Sequence, residues 1–342
     1  MSSKSTLTLK LRNTAMLKSF TVYNDSLESL PDKQLLITTI NAYSYNLACK
    51  DADFAEALTH SDVLLPDGIS IVLAKKWLAH KLFLNLPILL KYLLKIKGKA
   101  VNKNLWKADW KHPTIKKIAG ADLFYYEMNR LDNRIKNQET GQKNIEKAKA
   151  MFLGSTDSVL KKIQVRAGVE FPNVKVYTYS PPYKEEFTEG DNAAIFDTIN
   201  AVHPEVLFVG MTAPKQEKWA YKLVHSRQLT VEIVENKEIA DGLKSEVGSV
   251  ENETANYNLQ QTTYNKVLTT NYLLPANCHV CCIGAVFDYY AGTVKRAPQW
   301  MIRIGMEWLC RLVKEPKRMW RRYLIGNLKF IGYIIKEKLS SY

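Results

Sequence analysis

Apolar and polar positions along this 342-residue chain change period repeatedly. Residues 33–48, "KQLLITTINAYSYNLA", open with a short apolar run, pass through a turn at Thr39-Ile40-Asn41, and continue with helical spacing. Residues 62–77, "DVLLPDGISIVLAKKW", read as a strand at 63–65, a Pro-Asp-Gly turn at 66–68 and a helix. Residues 147–163 read as a strand at 150–153, a small-residue turn at Gly154-Ser155-Thr156 and a helix. "VKVYTYS" (174–180) is a further strand, and "EVLFVGMTAPKQEKWAYKLV" (205–224) repeats strand, glycine turn and helix. "HVCCIGAVFDYYAG" (279–292) supplies one more strand. Short apolar strands alternating with helices predict an α/β fold, a Rossmann-like and mostly parallel sheet flanked by helices. In such sheets ligands bind beyond the carboxyl ends of the strands. The turns at 39–41, 66–68, 154–156 and 210–215 all belong to that edge.

Three stretches depart from the pattern. Residues 80–115 insert basic and apolar residues, and 235–276 form a polar, acid-containing insertion. From about Ala297 the strand signals stop, and Trp300, Trp308, Trp320, leucines and basic residues follow helical spacing. This divides the chain into an α/β domain at 1–296 and a basic, aromatic-rich helical appendage at 297–342. The N-terminus lacks the apolar core of a signal peptide, and no run of about twenty apolar residues occurs. The most apolar stretch, "LFLNLPILLKYLL" (82–94), contains Pro87 and Lys91. It fits a buried helix or an interfacial helix lying on lipid, and both readings stay open.

Charge sharpens the picture. The formal net charge is +14. Residues 75–118 hold twelve lysines against Asp109, and residues 291–342 hold twelve Lys and Arg against Glu307, Glu315 and Glu337, so the remainder is net acidic. An anionic partner is expected. The chain has no zinc-finger spacing, basic zipper or RNP-like motif, which argues against nucleic acid. Five cysteines (Cys49, Cys278, Cys281, Cys282, Cys310) make an odd count without framework spacing, as in a reduced chain with buried strand cysteines.

Candidate chemistry collects at the predicted ligand edge. Asp67 is a carboxylate just past a buried strand, either a functional acid or an ordinary turn residue. Gly210 lets the backbone turn closely before a helix start, whose N–H groups suit an anion, and Lys215 and Gln216 could reach the same ligand. Asp51 and Asp53 match a metal-binding Asp-x-Asp, but "KDADFAEAL" also reads as a capped helix start. Arg311, Arg318 and Arg321 are spaced by seven and three, so one continuous helix would present all three on one face. Arginine is suited to bidentate phosphate contact.

The chain resembles the bacterial TagA/WecG/CpsF family, glycosyltransferase family 26. The likeness is carried by "TTINA" (38–42), "LPDGISIV" (65–72), "IAGADLF" (118–124), "MFLGS" (151–155), "PEVLFVGMTAPKQEKW" (204–219) and "GAVFDYYAGTVKRAPQWMIRIGMEWLCRLVKEPKRMWRRYL" (284–324). It runs from about residue 20 to 332, interrupted by the two insertions. The resemblance implies a GT-E-like fold and an inverting, metal-independent transferase without cofactor. Such an enzyme moves N-acetylmannosamine, or its uronic acid, from a UDP donor to polyprenyl-diphosphate-linked N-acetylglucosamine. It would act as a peripheral protein on the cytoplasmic face of the bacterial membrane, in teichoic acid, common-antigen or capsule synthesis. The resemblance makes Asp67 the base, adds Thr39, and sets Arg311, Arg318 and Arg321 in the active site. Gly210, Lys215, Gln216 and Glu217 would face the UDP, and Asn41, Gly68, Gly154 and Asp288 are expected to line the substrate site. Thr212 and Ala213 stand where many members carry Gly and Ser, and Lys117 stands where an Arg is expected. A homo-oligomer, a metal-dependent transferase using Asp51 and Asp53, and a non-catalytic membrane-surface protein remain alternatives.

Overall fold

The computed structural model describes residues 16–79, 115–138, 146–225, 274–303 and 305–340. Six strands form one sheet: β1 (Leu35–Ile40), β2 (Val63–Pro66), β3 (Ala148–Gly154), β4 (Val174–Tyr179), β5 (Val206–Gly210) and β6 (His279–Cys282). Their order is β2-β1-β6-β5-β3-β4, and every pairing is parallel. The apolar runs explain this arrangement. A strand covered by helices on both faces needs apolar side chains pointing both ways, and β2 and β6 are buried along their whole length.

The pleat sorts these side chains into two layers. Leu35, Ile37, Val63, Leu65, Phe152, Phe208 and Cys281 face one side, against helices Gly120–Gln138, Asp157–Glu170 and Val286–Tyr290. On the other side, Leu36, Leu153, Val209 and Cys282 meet helix Glu189–Val202 and residues 215–225. Ile40 and Leu64 meet helices Ala42–Ala48, Ala52–Thr59 and Ile69–Ala79. The chain leaves β1 and β5 toward the second side and leaves β6, between them, toward the first. Neighbouring strands whose connections part in this way open a crevice at the carboxyl edge.

Two expectations at that edge change. Thr39 and Ile40 are not a turn but the end of β1, paired with Leu65 and Pro66. The turn begins at Asn41, whose Oδ1 accepts from the Tyr43 and Ser44 amides as an N-cap. The helical tail is likewise discontinuous. Helix Glu307–Lys314 stops at Glu315, and a second helix starts at Pro316. Proline is acceptable at a first helical position but breaks an interior, because it lacks the N–H and clashes one turn back. A π-turn over Arg321–Ile325 follows, then helix Gly326–Leu339. The single continuous helix assumed for Arg311, Arg318 and Arg321 is therefore broken between the first and the other two.

The last helix is built into the body. Phe330 and Ile334 pack with Ile40, Tyr45, Phe54 and Leu64, burial worth about 1.5–3 kcal/mol for each large apolar side chain. The buried Glu337 carboxylate accepts from the Leu17 amide at 3.0 Å, the Lys18 amide at 2.8 Å and the Tyr45 hydroxyl at 3.2 Å. Lys338 donates to the Trp77 and Leu78 carbonyls, the last of helix Ile69–Ala79. The stretch 82–94 and most of the two insertions lie outside the described residues.

Candidate active site

Asp67 is placed by backbone pairing on two sides. Its amide donates to the Ile40 carbonyl at 2.9 Å, which continues the β1–β2 ladder by one residue. The Ile118 amide donates to the Pro66 carbonyl at 3.1 Å, so the segment entering helix Gly120–Gln138 runs beside the same acid. Gly68 follows with φ +125°, a conformation that side-chain-bearing residues rarely adopt, and its Cα faces Asn41. Thr39, Asn41, Asp67 and Gly68 are thereby brought to one point at the ends of β1 and β2.

The tail closes over this point. Gly305, with φ +76°, lies against Ile69, the first residue of the helix after Gly68. A Cβ at 305 would stand 2.8 Å from the Ile69 side chain. This close approach carries Glu307 and Arg311 to Asp67. Burial pushes the Asp67 carboxyl above the usual range, and the negative charge of Glu307 adds to the push. Lys117 and Arg311 pull in the opposite direction. An acid with raised pKa, still able to ionise beside two cations, has the character of a general base.

Arg311 is held by an aromatic floor and a counter-ion. Its guanidinium sits 4.9 Å from the Tyr289 ring centroid, and Glu307 lies 3.6 Å away. Arg296 reaches the same Glu307 oxygen at 3.5 Å. Arg322 crosses to the start of the helix after β1, with its guanidinium 3.9 Å over the Tyr43 ring. Arg321 instead lies exposed, 5.3 Å over the Trp320 ring. Only the backbone of Arg318 is described.

The second group of sequence-predicted residues lines the ends of β3, β5 and β6. Gly154 pairs with Gly210, and a Cβ at 154 would come within 2.5 Å of the Gly210 carbonyl oxygen. A Cβ at 210 would strike the Phe287 ring at 2.8 Å. Close packing against backbone at 154 and against an aromatic ring at 210 thus demands both glycines. Ser155 and Thr212 follow them at φ 64° and 66°, sparsely populated conformations costing about 1–3 kcal/mol each.

The loop residues behind Thr212 go to different places. Lys215 donates to the Lys184 carbonyl and sits 3.5 Å over the Phe187 ring, away from Asp67. Gln216 and Glu217 are buried, at 5% and 1% exposure. The Gln216 Nε2 donates to Glu217 Oε1 at 2.8 Å. Gln216 Oε1, which faces Gly284, and Glu217 Oε2 have no hydrogen-bond partner among the described residues. Burial pushes the Glu217 carboxyl up to about 7. Asp288 is half-buried next to Tyr289 and accepts from Thr293.

The Asp51/Asp53 pair has other work. Asp51 caps its helix through the Phe54 amide at 3.0 Å and pairs with Lys218 at 3.1 Å, while Asp53 lies 3.8 Å from the same lysine. Cys281 and Cys282 in β6 and Cys278 just before it are buried, and burial raises each thiol. Four further groups join the site without having been named as site residues: Glu307 beside Asp67, Arg296 and Tyr289 against Glu307 and Arg311, and Arg322 over Tyr43. The available signal was slight, an isolated glutamate in a basic segment and two arginines outside the seven-and-three spacing.

A parallel α/β sheet with a half-buried acid beside Arg311 and Lys117 at its carboxyl edge sets charged groups where ligands of such folds bind. The chain belongs to the Glycosyl transferase WecG/TagA/CpsF family, whose model matches residues 5–90, 104–234 and 266–342, and it is a glycosyltransferase. The unmatched stretches, 91–103 and 235–265, fall inside the two expected insertions. An N-acetylglucosaminyldiphosphoundecaprenol N-acetyl-beta-D-mannosaminyltransferase of Bacillus subtilis (strain 168) is 24% identical over 303 residues, covering 89% of this chain and 80% of the relative. The enzyme of the same name from Bacillus spizizenii (strain ATCC 23059 / NRRL B-14472 / W23) is 23% identical over 310 residues, covering 91% and 82%.

Proposed function

We propose that the protein transfers N-acetylmannosamine, or its uronic acid, from a UDP donor to polyprenyl-diphosphate-linked N-acetylglucosamine, with inversion and without a metal. The observation that carries this reading is Asp67, set at the carboxyl edge by β2 and covered by Arg311 of the tail. The names of the two relatives supply the sugar and the acceptor class. The beta linkage in their names supports inversion on the reading that the donor here is an alpha-linked UDP-sugar, and one direct displacement delivers it.

In that displacement the acceptor hydroxyl oxygen attacks the anomeric carbon. Its proton passes to the Asp67 carboxylate. The bond from the anomeric carbon to the phosphate oxygen breaks, and its electron pair leaves on the UDP. Arg311 is placed to stabilise the charge that develops there, in a half-buried site where fixed cations act strongly. Thr39 and Asn41 border the same point, and Lys117 adds a second cation. Asp51 and Asp53 are engaged by the helix cap and Lys218, which weighs against the metal-dependent alternative.

The 297–342 segment is read as the appendage that completes the site and meets the membrane. Trp320, Leu324, Leu328, Ile335 and Leu339 are exposed and spaced by four, four, seven and four. Arg321, Lys329 and Lys336 lie exposed among them. An apolar stripe with cationic flanks suits the interface of an anionic leaflet. No described helix is long and apolar enough to cross a membrane.

The test is to incubate the protein with a short-chain prenyl-diphosphate-linked N-acetylglucosamine and a panel of UDP-sugars, with and without EDTA, and to weigh the products. UDP-N-acetylmannosamine or its uronic acid should add one sugar, and EDTA should leave the rate unchanged. Transfer of another sugar would overturn the donor assignment. Loss of transfer in EDTA, restored by magnesium or manganese, would overturn the metal-independent mechanism.

A further inference from the structure

Arg296 and Arg311 come from different segments, yet both address one oxygen, Glu307 Oε1, at 3.5 and 3.6 Å. These distances exceed the roughly 2.7–2.9 Å of a charge-assisted hydrogen bond. Arg296 Nε is buried and lacks a hydrogen-bond partner among the described residues. Two guanidiniums carry about ten N–H donors between them, and Glu307 engages them only through long ion pairs. Glu337, in the same basic tail, behaves differently: it accepts three hydrogen bonds of 2.8–3.2 Å from fixed neighbours. One glutamate is an anchor, and the other is a loosely held counter-ion.

The arginines do not depend on Glu307 for their placement. The Tyr289 ring supports Arg311. Lys314 Nζ donates to the Lys295 carbonyl at 2.6 Å, which ties helix Glu307–Lys314 to the segment bearing Arg296. The three side chains retain 25% (Arg296), 18% (Glu307) and 29% (Arg311) exposure. They are reachable from solvent but shielded enough for charge to matter. Asp67 lies close enough to feel both Glu307 and Arg311.

We infer that Arg296 and Arg311 form a clamp for a diphosphate group and that Glu307 fills it as an exchangeable internal counter-ion, displaced when the diphosphate enters. The inference rests on the proposed function for the identity of the diphosphate, which is carried by the UDP donor or by the lipid-linked acceptor. A diphosphate offers more oxygens and more charge than one carboxylate and can engage guanidinium forks bidentately. In its absence the carboxylate offsets the repulsion between two neighbouring cations.

The experiment is calorimetric titration of the full chain with pyrophosphate, UDP and a short-chain prenyl-diphosphate-linked N-acetylglucosamine, each separately. Glu307→Gln should bind the relevant diphosphate about three- to ten-fold more tightly, because no charged group has to be expelled. Arg296→Gln should weaken it about tenfold, and Arg296→Lys should recover only part, because lysine lacks the fork. Circular dichroism and melting confirm the fold. If Glu307→Gln does not fold, Glu307→Asp, whose carboxylate is withdrawn by one methylene, should give a smaller tightening. The ligand that responds identifies the source of the diphosphate. Wild-type binding that is indifferent to both positions overturns the clamp and leaves the proposed function standing. A response to pyrophosphate without any binding of UDP keeps the clamp and removes the donor assignment. No binding of any diphosphate by the wild type overturns both.

Discussion

Burial raises the pKa of both Asp67 and Glu217, but only Asp67 lies beside cations that help it ionise. Asp67→Asn is therefore expected to lower kcat by roughly a hundred- to ten-thousand-fold, the usual effect of removing a general base. UDP binding should persist, because the amide keeps the shape of the side chain. Near-wild-type turnover in a folded variant would take Asp67 out of the mechanism. The acid limb of the wild-type rate profile should lie above the ordinary carboxylate range, with the rate falling as Asp67 is protonated. Glu217 predicts a stability effect instead. Its folded pKa of about 7 exceeds the ordinary value of 4.5, so the folded state favours the protonated form. That contribution is fully present below the unfolded pKa and is lost as pH rises through 7, in total about 3 kcal/mol. Melting temperature should fall between pH 5 and pH 8, and Glu217→Gln should flatten that dependence. An equally steep curve for the variant would assign the effect to other groups.

Elements reach the site through close backbone contacts. The turn at Gly305, ahead of helix Glu307–Lys314, lies on Ile69, and a methyl group there meets both a crowded neighbour and a left-handed φ. Gly305→Ala should cost about 1–2 kcal/mol of stability from the backbone conformation alone. It should also lower kcat/KM by roughly a hundred-fold, because it lifts Glu307 and Arg311 away from Asp67. Thermal melting and steady-state kinetics together check this, and a variant that melts lower but turns over normally would show that the turn only supports the fold. Pro316 acts at the same scale: by restarting the helix it lets Arg311 face Asp67 while Arg321 faces out.

Across the whole molecule, the tail serves two purposes. Its final helix is buried through Phe330, Ile334 and Glu337, so removing everything after Tyr290 would open the core. The exposed stripe is better tested by point changes. Leu324→Ser with Leu328→Ser should weaken co-sedimentation with anionic vesicles about tenfold or more, given about 0.8 kcal/mol for each methylene withdrawn from lipid. Added salt should weaken the wild type as well, by screening its lysines and arginines. Unchanged sedimentation of the variant would move the membrane contact elsewhere on the chain.

The alternation of apolar runs with helical periodicity determined the α/β class, the strands and the edge that carries the site, because a strand buried on both faces must be apolar throughout. Asp67, the two glycine turns and the helix cap at Asp51 were legible for the same local reason: turn and cap chemistry act over a few residues. Tertiary structure decided which charges meet. The spacing of Arg311, Arg318 and Arg321 suggested one shared face, yet a new helix starts at Pro316, and Arg311 stands at the acid while Arg321 is exposed. Glu217, which the resemblance set facing the UDP, is buried beside Gln216 by packing that no local rule foretells. Glu307 and Arg296 became partners only when Gly305 settled on Ile69 and Lys314 tied its helix to Lys295. Local rules act through neighbouring residues, whereas the partner of a long charged side chain depends on what the fold places beside it.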